Sequence, residues 1–213
     1  MNRIFNPFVE ISFTDHFEFM ELGRKNPYYV TIPIDTDRIK MTEPRNKVPV
    51  IGHFPSNPSV KGTQSILEAI EDVSRICEYP FSFQYSSDKV SHEENLKRMG
   101  ECDIYIELFA PTQNGKPYGC YGVTALEAAA LGCFVFTMIP GGEATYNNMM
   151  LGEKCLFVVS EKEIDFRVQI LRIVMEYQEP ETLIHYRQEM NHFVKCNHSY
   201  KAMGTRIKKK LNE

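Results

Sequence analysis

From Val48 onward the chain alternates short apolar runs with longer amphipathic ones. Val48–Phe54 reads VPVIGHF, apolar without alternation, which predicts a strand buried on both faces. After the loop PSNPSVKGT, Ile66, Ala69, Ile70, Val73 and Ile76/Cys77 recur at spacings of three and four. That spacing predicts a helix with one apolar face, capped by Thr63 or Ser59 and stopped by Pro80. Phe81–Tyr85 predicts a second strand, and Ser91-x-x-Glu94 has the form of a capping box opening a short helix through Met99. Asp103–Phe109 (DIYIELF) predicts a third strand. A long loop, APTQNGKPYGCYG, then leads into Val123–Leu131 (VTALEAAAL), an Ala- and Leu-rich helix with Gly132 as its stop. Cys133–Ile139 predicts another buried strand, closed by Pro140-Gly141-Gly142, and Cys155–Val159 one more. The tail from Glu161 to Leu211 reads as helical, broken near Glu179-Pro180 and near Asn197.

Strands alternating with helices predict an α/β fold: a Rossmann-like parallel sheet with helices on both faces. The first 45 residues read differently. Short β-like stretches (Val9–Phe13, Tyr29–Ile34) are separated by Asn-Pro, Gly and charge, and Glu43–Lys47 (EPRNK) reads as a polar linker. The expected organisation is a short N-terminal extension or linker, 1–45, and one α/β domain, 46–213.

Composition narrows the function classes. A chain of 213 residues, 43% hydrophobic and 24% charged, suits one ordinary globular core. Lys+Arg 24 against Asp+Glu 28 gives a net charge of −4, which argues against general binding to nucleic acid or to membrane surfaces. No apolar run approaches the roughly 18–20 residues of a membrane span. The start, MNRIFNPFVEISF, has no continuous apolar signal core. The six cysteines stand singly with no CxxC pair, which predicts reduced core thiols, a cytoplasmic location and no zinc or other metal site.

In a parallel sheet, ligands gather beyond the carboxyl ends of the strands. Three loops fall there, after Phe54, Phe109 and Ile139, and they are the loops richest in Gly, Pro, Ser and Asn. Gly119 and Gly122, with Tyr121 between them, precede the Val123 helix. Glycines at that place let a backbone approach a ligand, and the first free N–H groups of the helix, at Val123 and Thr124, suit an anion such as a diphosphate. The alternative is a turn feeding a helix with no ligand. Glu127 interrupts the Ala/Leu stretch; it is either a ribose acceptor or a solvent-facing first-turn carboxylate. Lys61 stands at a helix entrance, where a cation is disfavoured without an anionic partner; it is either paired with a phosphate or a solvated lysine, and its neighbours Ser56, Asn57 and Gly62 belong to the same loop. His53, ending the first strand, is either a packed histidine or a donor to a phosphate. Gly141, Gly142 and Glu143 open a further loop that could wrap a sugar. His53, Glu107 and Glu143 are the titratable groups of these loops with a reach toward it, and His53 and Glu143 are the candidate catalytic residues.

The ordered set HFPSNPSVKGT, VSHEEN, CDIYIEL, GCYGVTALEAAALG and PGGEATYN resembles the C-terminal, donor-binding half of a GT-B glycosyltransferase. More narrowly it is similar to the retaining nucleotide-sugar transferases called group 1. The resemblance runs from about Tyr28 to the C-terminus: YYVTIPIDTDRI resembles the entry to their second domain and HSYKAMGTRIKKKL their closing helix. It implies that Lys61 contacts the donor phosphates, that Glu127 holds the donor ribose, and that Gly122, Val123 and Thr124 form the junction over the diphosphate. It implies a nucleotide-sugar donor used as substrate, with no cofactor and no metal, and a glycan or other hydroxyl acceptor.

Three departures accompany the resemblance. Gly119 stands where many relatives have a second glutamate, although a subset shares this Gly-x-Tyr-Gly form. Ser56, Asn57 and Pro58 replace the usual arginine of the basic loop. The stretch before the donor half is too short for an acceptor domain, so the chain reads as truncated relative to whole GT-B enzymes. Its acceptor surface is then expected from a homo-oligomer or a separate subunit. Two readings follow: a hexosyltransferase-type enzyme, or a non-catalytic nucleotide-binding module or partner subunit. The basic run Lys201, Arg206 and Lys208–Lys210 is either solvated cations at a helix end or, less in keeping with the net charge, an approach for a nucleic-acid acceptor.

Overall fold

A computed structural model of the chain describes residues 11–14, 27–30, 32–43, 48–109, 112–113, 116–117, 121–138, 158–159 and 163–213. Two short strands, β1 (Ser12–Thr14) and β2 (Pro27–Tyr29), pair in parallel. Then come β3 (Val50–His53), α1 (Pro58–Lys61), α2 (Thr63–Ile76), β4 (Ser82–Tyr85), α3 (His92–Gly100) and β5 (Ile104–Ile106). The antiparallel pair β6 (Thr112–Gln113) and β7 (Lys116–Pro117) leads to α4 (Val123–Ala130), β8 (Phe134–Thr137) and β9 (Val158–Val159). The helices α5 (Glu163–Glu176), α6 (Pro180–His198) and α7 (Tyr200–Leu211) follow.

β3, β4, β5, β8 and β9 form one wholly parallel sheet in the order β4-β3-β5-β8-β9. The α/β, Rossmann-like sheet predicted from the alternation is the architecture observed. β3, β5 and β8 are buried along their whole length, as their unbroken apolar runs require. β4 lies at the sheet edge, and its Ser82 and Gln84 are exposed. α2 packs with α5, and α4 packs with α6 and α3, as two helical layers.

Several local readings change. The loop before α2 contains a one-turn helix, α1, which Pro58 opens and Gly62 closes. Neither Thr63 nor Ser59 caps α2. Gly62 is at once the C-cap of α1 and the N-cap of α2, with φ 66° and ψ 33°. One residue joining two helices this tightly must be left-handed, and glycine adopts that form without a Cβ clash. The Thr63 hydroxyl is turned to His53, and Ser59 donates to Asn57 Oδ1 (2.9 Å). α2 buries Ile66, Ala69, Ile70 and Val73, but Ile76 is 64% exposed and the helix ends there, ahead of Pro80. The capping box of α3 forms: Ser91 Oγ accepts from the Glu94 N–H at 3.1 Å. Gly132 follows α4 with φ 93°, as its stop position requires. The break between α6 and α7 falls at Ser199 instead of Asn197, because the Ser199 hydroxyl accepts from the Ala202 N–H and starts α7 (3.2 Å). The strand expected over Tyr29–Ile34 is confined to Pro27–Tyr29; Ile34 instead bridges to Ser199.

Residues 32–43 are held onto this body by buried polar contacts. Ile34 N–H donates to the His198 carbonyl at 2.8 Å, and Thr42 N–H to the Leu131 carbonyl at 3.1 Å. The buried Arg187 of α6 donates to Thr42 O (2.6 Å), Thr42 Oγ1 (2.7 Å) and Leu131 O (3.3 Å), and its Nη1 lies 3.6 Å from Asp103 Oδ1. Asp103 accepts in turn from the Val50 N–H at 3.0 Å. This cluster sits at the amino ends of β3 and β5, opposite the pole where ligands are expected.

Candidate functional site

The strand order is second-first-third-fourth-fifth in chain sequence, so the direction of winding reverses between β3 and β5. In such sheets the crevice beyond the carboxyl ends of the two strands at the reversal is the natural ligand site. His53 ends β3, Glu107 follows β5, and α1 places Lys61 above both. The carbonyl of Lys61 accepts from the Phe109 N–H (3.1 Å), pinning α1 to the chain after β5.

Lys61 Nζ and Glu107 Oε1 form an ion pair in direct contact. The glutamate side chain is 1% exposed and the lysine 22%. The other oxygen of Glu107 accepts from Thr137 Oγ1, at the end of β8, at 3.1 Å. The pair lies against the start of α4: a Cβ added to Gly122 would stand 3.0 Å from Glu107 Oε1 and 3.8 Å from Lys61 Nζ. Glycine at 122 is therefore what lets the loop come down onto the pair. Beyond it, the N–H groups of Val123 and Thr124 have no intrahelical carbonyl to bond, as at any helix start, and carry the positive end of the helix dipole.

One turn further along α4, Glu127 is buried, and its Oε1 is 2.6 Å from His92 Nε2. His92 is the first residue of α3 and is 67% exposed. A cavity of about 440 Å³ opens beside these groups, lined among others by Phe54, Ser56, Lys61, His92, Arg98, Glu107 and Thr124. Glu127 does not itself line the cavity, but its partner His92 does. The Arg98 guanidinium lies 4.4 Å over the Phe54 ring, forming one wall.

His53 is fully buried, stacked on Tyr85 with ring centroids 6.0 Å apart. Its Nδ1 is 2.7 Å from the Ile106 carbonyl and its Nε2 is 2.9 Å from Thr63 Oγ1. The carbonyl can only accept, so Nδ1 carries the proton and Nε2 accepts from the hydroxyl. Burial pulls the imidazole pKa down to about 4, against the raising effect of the Ile106 carbonyl, and the Lys61 charge lowers it further. Both nitrogens are spent on tying β3 to β5 and α2. Of the two alternatives for His53, the structure shows a packed ring with both nitrogens engaged.

The other candidates separate. Lys61, Ser56 and Thr124 come together at the cavity. Gly62 spends its N–H on the Pro58 carbonyl, and Asn57 turns to Ser59. Tyr121 is buried, its ring edge-on to His198 at 5.6 Å, away from the cavity. Gly119, Gly141, Gly142 and Glu143 lie outside the described residues. The sequence reading missed His92, hidden inside a capping box, and Thr137, hidden inside an apolar run. Glu107 was noted, but its ion pair with Lys61 was not; the spacing of 46 residues gives no local signal of it.

Among the described residues, Cys77, Cys102, Cys133 and Cys196 are free thiols, and burial pushes the Cys133 thiol up to about 12. No group of three or more His, Cys, Asp or Glu side chains gathers among them as a metal site would require, and no described helix is long and apolar enough to cross a membrane. In α7, Arg206 donates to the carbonyl of Asn197 (3.1 Å) and to its Oδ1 (2.9 Å), and Lys210 pairs with Glu213, so two cations of the basic run serve local contacts.

No protein-family model and no curated protein sequence matches the chain. Among solved structures it is similar to a mutant of S. aureus TarM crystallised in complex with Fondaparinux, alpha-GlcNAc-glycerol and UDP. The two superpose with a TM-score of 0.64 at 11% sequence identity, over 98% of this chain and 44% of that one. The chain thus spans less than half the length of TarM. At this identity the likeness establishes the fold, which is glycosyltransferase-like.

Proposed function

We propose that the crevice between β3 and β5 binds the nucleoside diphosphate of a nucleotide sugar, and that the protein takes part in transferring the sugar to a hydroxyl acceptor. The observation that supports this most is the meeting of Lys61 with the glycine-started N-terminus of α4, at the winding reversal of a parallel sheet. The diphosphate rests on the α4 N–H groups and the Lys61 ammonium, so that charge developing on the departing diphosphate is met by fixed donors with no metal required. Glu127, one turn down the same helix, accepts from the ribose hydroxyls, with His92 alongside. TarM was solved with UDP, which favours a uridine nucleotide as the first probe.

Titration calorimetry with UDP, GDP and ADP tests the reading. Micromolar binding of one of them is expected. Lys61→Met should weaken it at least tenfold, about 1.4 kcal/mol, and Glu127→Ala should weaken both the diphosphate and its parent nucleoside. Binding of none of them, or binding indifferent to Lys61, would remove the assignment.

A second reading, a nucleotide-binding module without its own catalysis, draws support from His53: of the two candidate catalytic groups, the described one is sealed off from the cavity. Turnover assays with UDP-, GDP- and ADP-glucose against glycan and simple hydroxyl acceptors separate the two. Product from the protein alone supports the transferase; binding without product supports the module.

A further inference from the structure

The cation of the crevice is already engaged by an anion of the same chain. Glu107 is buried, touches Lys61, and is held from behind by Thr137. Its Oε1 also lies within van der Waals reach of the Cα substituent position of Gly122, in the corner between Lys61 and the first turn of α4. A phosphate entering that corner meets a near-neutral pair where a lone lysine would present a full positive charge.

We infer that Glu107 is a specificity-determining residue that sets how much negative charge the cradle accepts: it disfavours the free nucleoside diphosphate relative to the same nucleotide carrying a sugar. The inference rests on the diphosphate site proposed above. A free nucleoside diphosphate ends in a terminal phosphate held only by the anhydride and bearing up to two charges. In a nucleotide sugar that phosphate is also esterified to the sugar and bears one. Repulsion from a carboxylate acts most on the more highly charged ligand, and a carboxylate only 1% exposed is weakly screened. The sugar-bearing donor is therefore held against a smaller penalty, and the diphosphate left after transfer is pushed out.

Glu107 also steadies Lys61, and losing that support would act in the opposite direction. Glutamine separates the two effects. Its amide oxygen still accepts from Lys61 and its NH₂ still donates to the Thr137 hydroxyl, while the charge is gone.

The test is calorimetric titration of the wild-type chain and of Glu107→Gln with UDP, GDP and ADP, each beside its nucleoside and its glucose conjugate. For the base that binds, Glu107→Gln should tighten the diphosphate at least tenfold, tighten the nucleotide sugar by less, and leave the nucleoside unchanged. Glu107→Ala, which removes the carboxylate by truncation, should move the diphosphate the same way and serves if the glutamine variant is not recovered folded. Diphosphate affinity unchanged or weakened in both variants, with the wild type binding, overturns the role of Glu107 and leaves the site standing. Failure of every nucleotide to bind either protein overturns the site and this inference together.

Discussion

A neutral, sealed histidine at the centre of the sheet makes stability respond to acid. In the unfolded chain His53 takes up a proton near its ordinary pKa of about 6.5; in the native state burial holds it down to about 4. Between those values the unfolded state binds the additional proton, so stability present above pH 6.5 is lost as pH falls toward 4. His198 acts in the same direction: burial lowers it to about 3, the Ile32 carbonyl opposing and Arg206 assisting. Each pKa unit is worth about 1.4 kcal/mol, so His53 alone implies a loss of roughly 3 kcal/mol. Urea midpoints at pH 7.5, 6 and 4.5 should fall steadily, and His53→Gln should start lower and fall less. Equal slopes for the two proteins would contradict the assignment of a buried neutral ring.

Among the elements, α6 depends most on polar contacts. Arg187 carries its guanidinium into the core, where it serves Thr42, Leu131 and Asp103. Arg187→Leu takes the cation from beside a buried carboxylate and strips the Thr42 carbonyl of its guanidinium donor, while the Leu131 carbonyl keeps the Thr42 N–H. Removing one partner of a buried pair commonly costs about 3–5 kcal/mol. A melting temperature within a few degrees of wild type would show that the cluster contributes little. Nothing in the pattern around Arg187 foretells it, since one arginine in an amphipathic helix reads as solvated. The elements between Val48 and Met138 were legible because their signals are local: apolar runs for β3, β5 and β8, a three-four spacing for α2, a capping box for α3. α1 was not, because one turn of helix leaves no periodicity to detect. The site was legible in the same measure. Lys61, Gly122, Thr124 and Glu127 announce themselves by type and place along the chain. Glu107, His92 and Thr137 acquire meaning only from partners 46, 35 and 30 residues away.

At the scale of the whole molecule the two poles of the parallel sheet are specialised. The carboxyl-end pole gathers Lys61, Glu107, His92 and Glu127 around an open cavity; the amino-end pole gathers Arg187, Asp103 and Thr42 into a closed cluster. Changes at the first should register mainly in ligand affinity and changes at the second mainly in stability. The early segment 32–43 runs between the two: Thr42 joins the closed cluster, while Ile34 meets the α6–α7 junction, whose His198 ring contacts Tyr121 just before α4. The Ile34 amide, buried and bonded to the His198 carbonyl at 2.8 Å, sits in a stretch with almost no regular secondary structure of its own. Its deuterium uptake should nonetheless track the slow amides in the middle of α6, because its hydrogen bond opens only when that junction comes apart. Mass-spectrometric exchange on a peptide spanning residues 32–43 reads this directly. Full labelling there within seconds, with α6 still protected, would mean that the segment detaches without disturbing the rest.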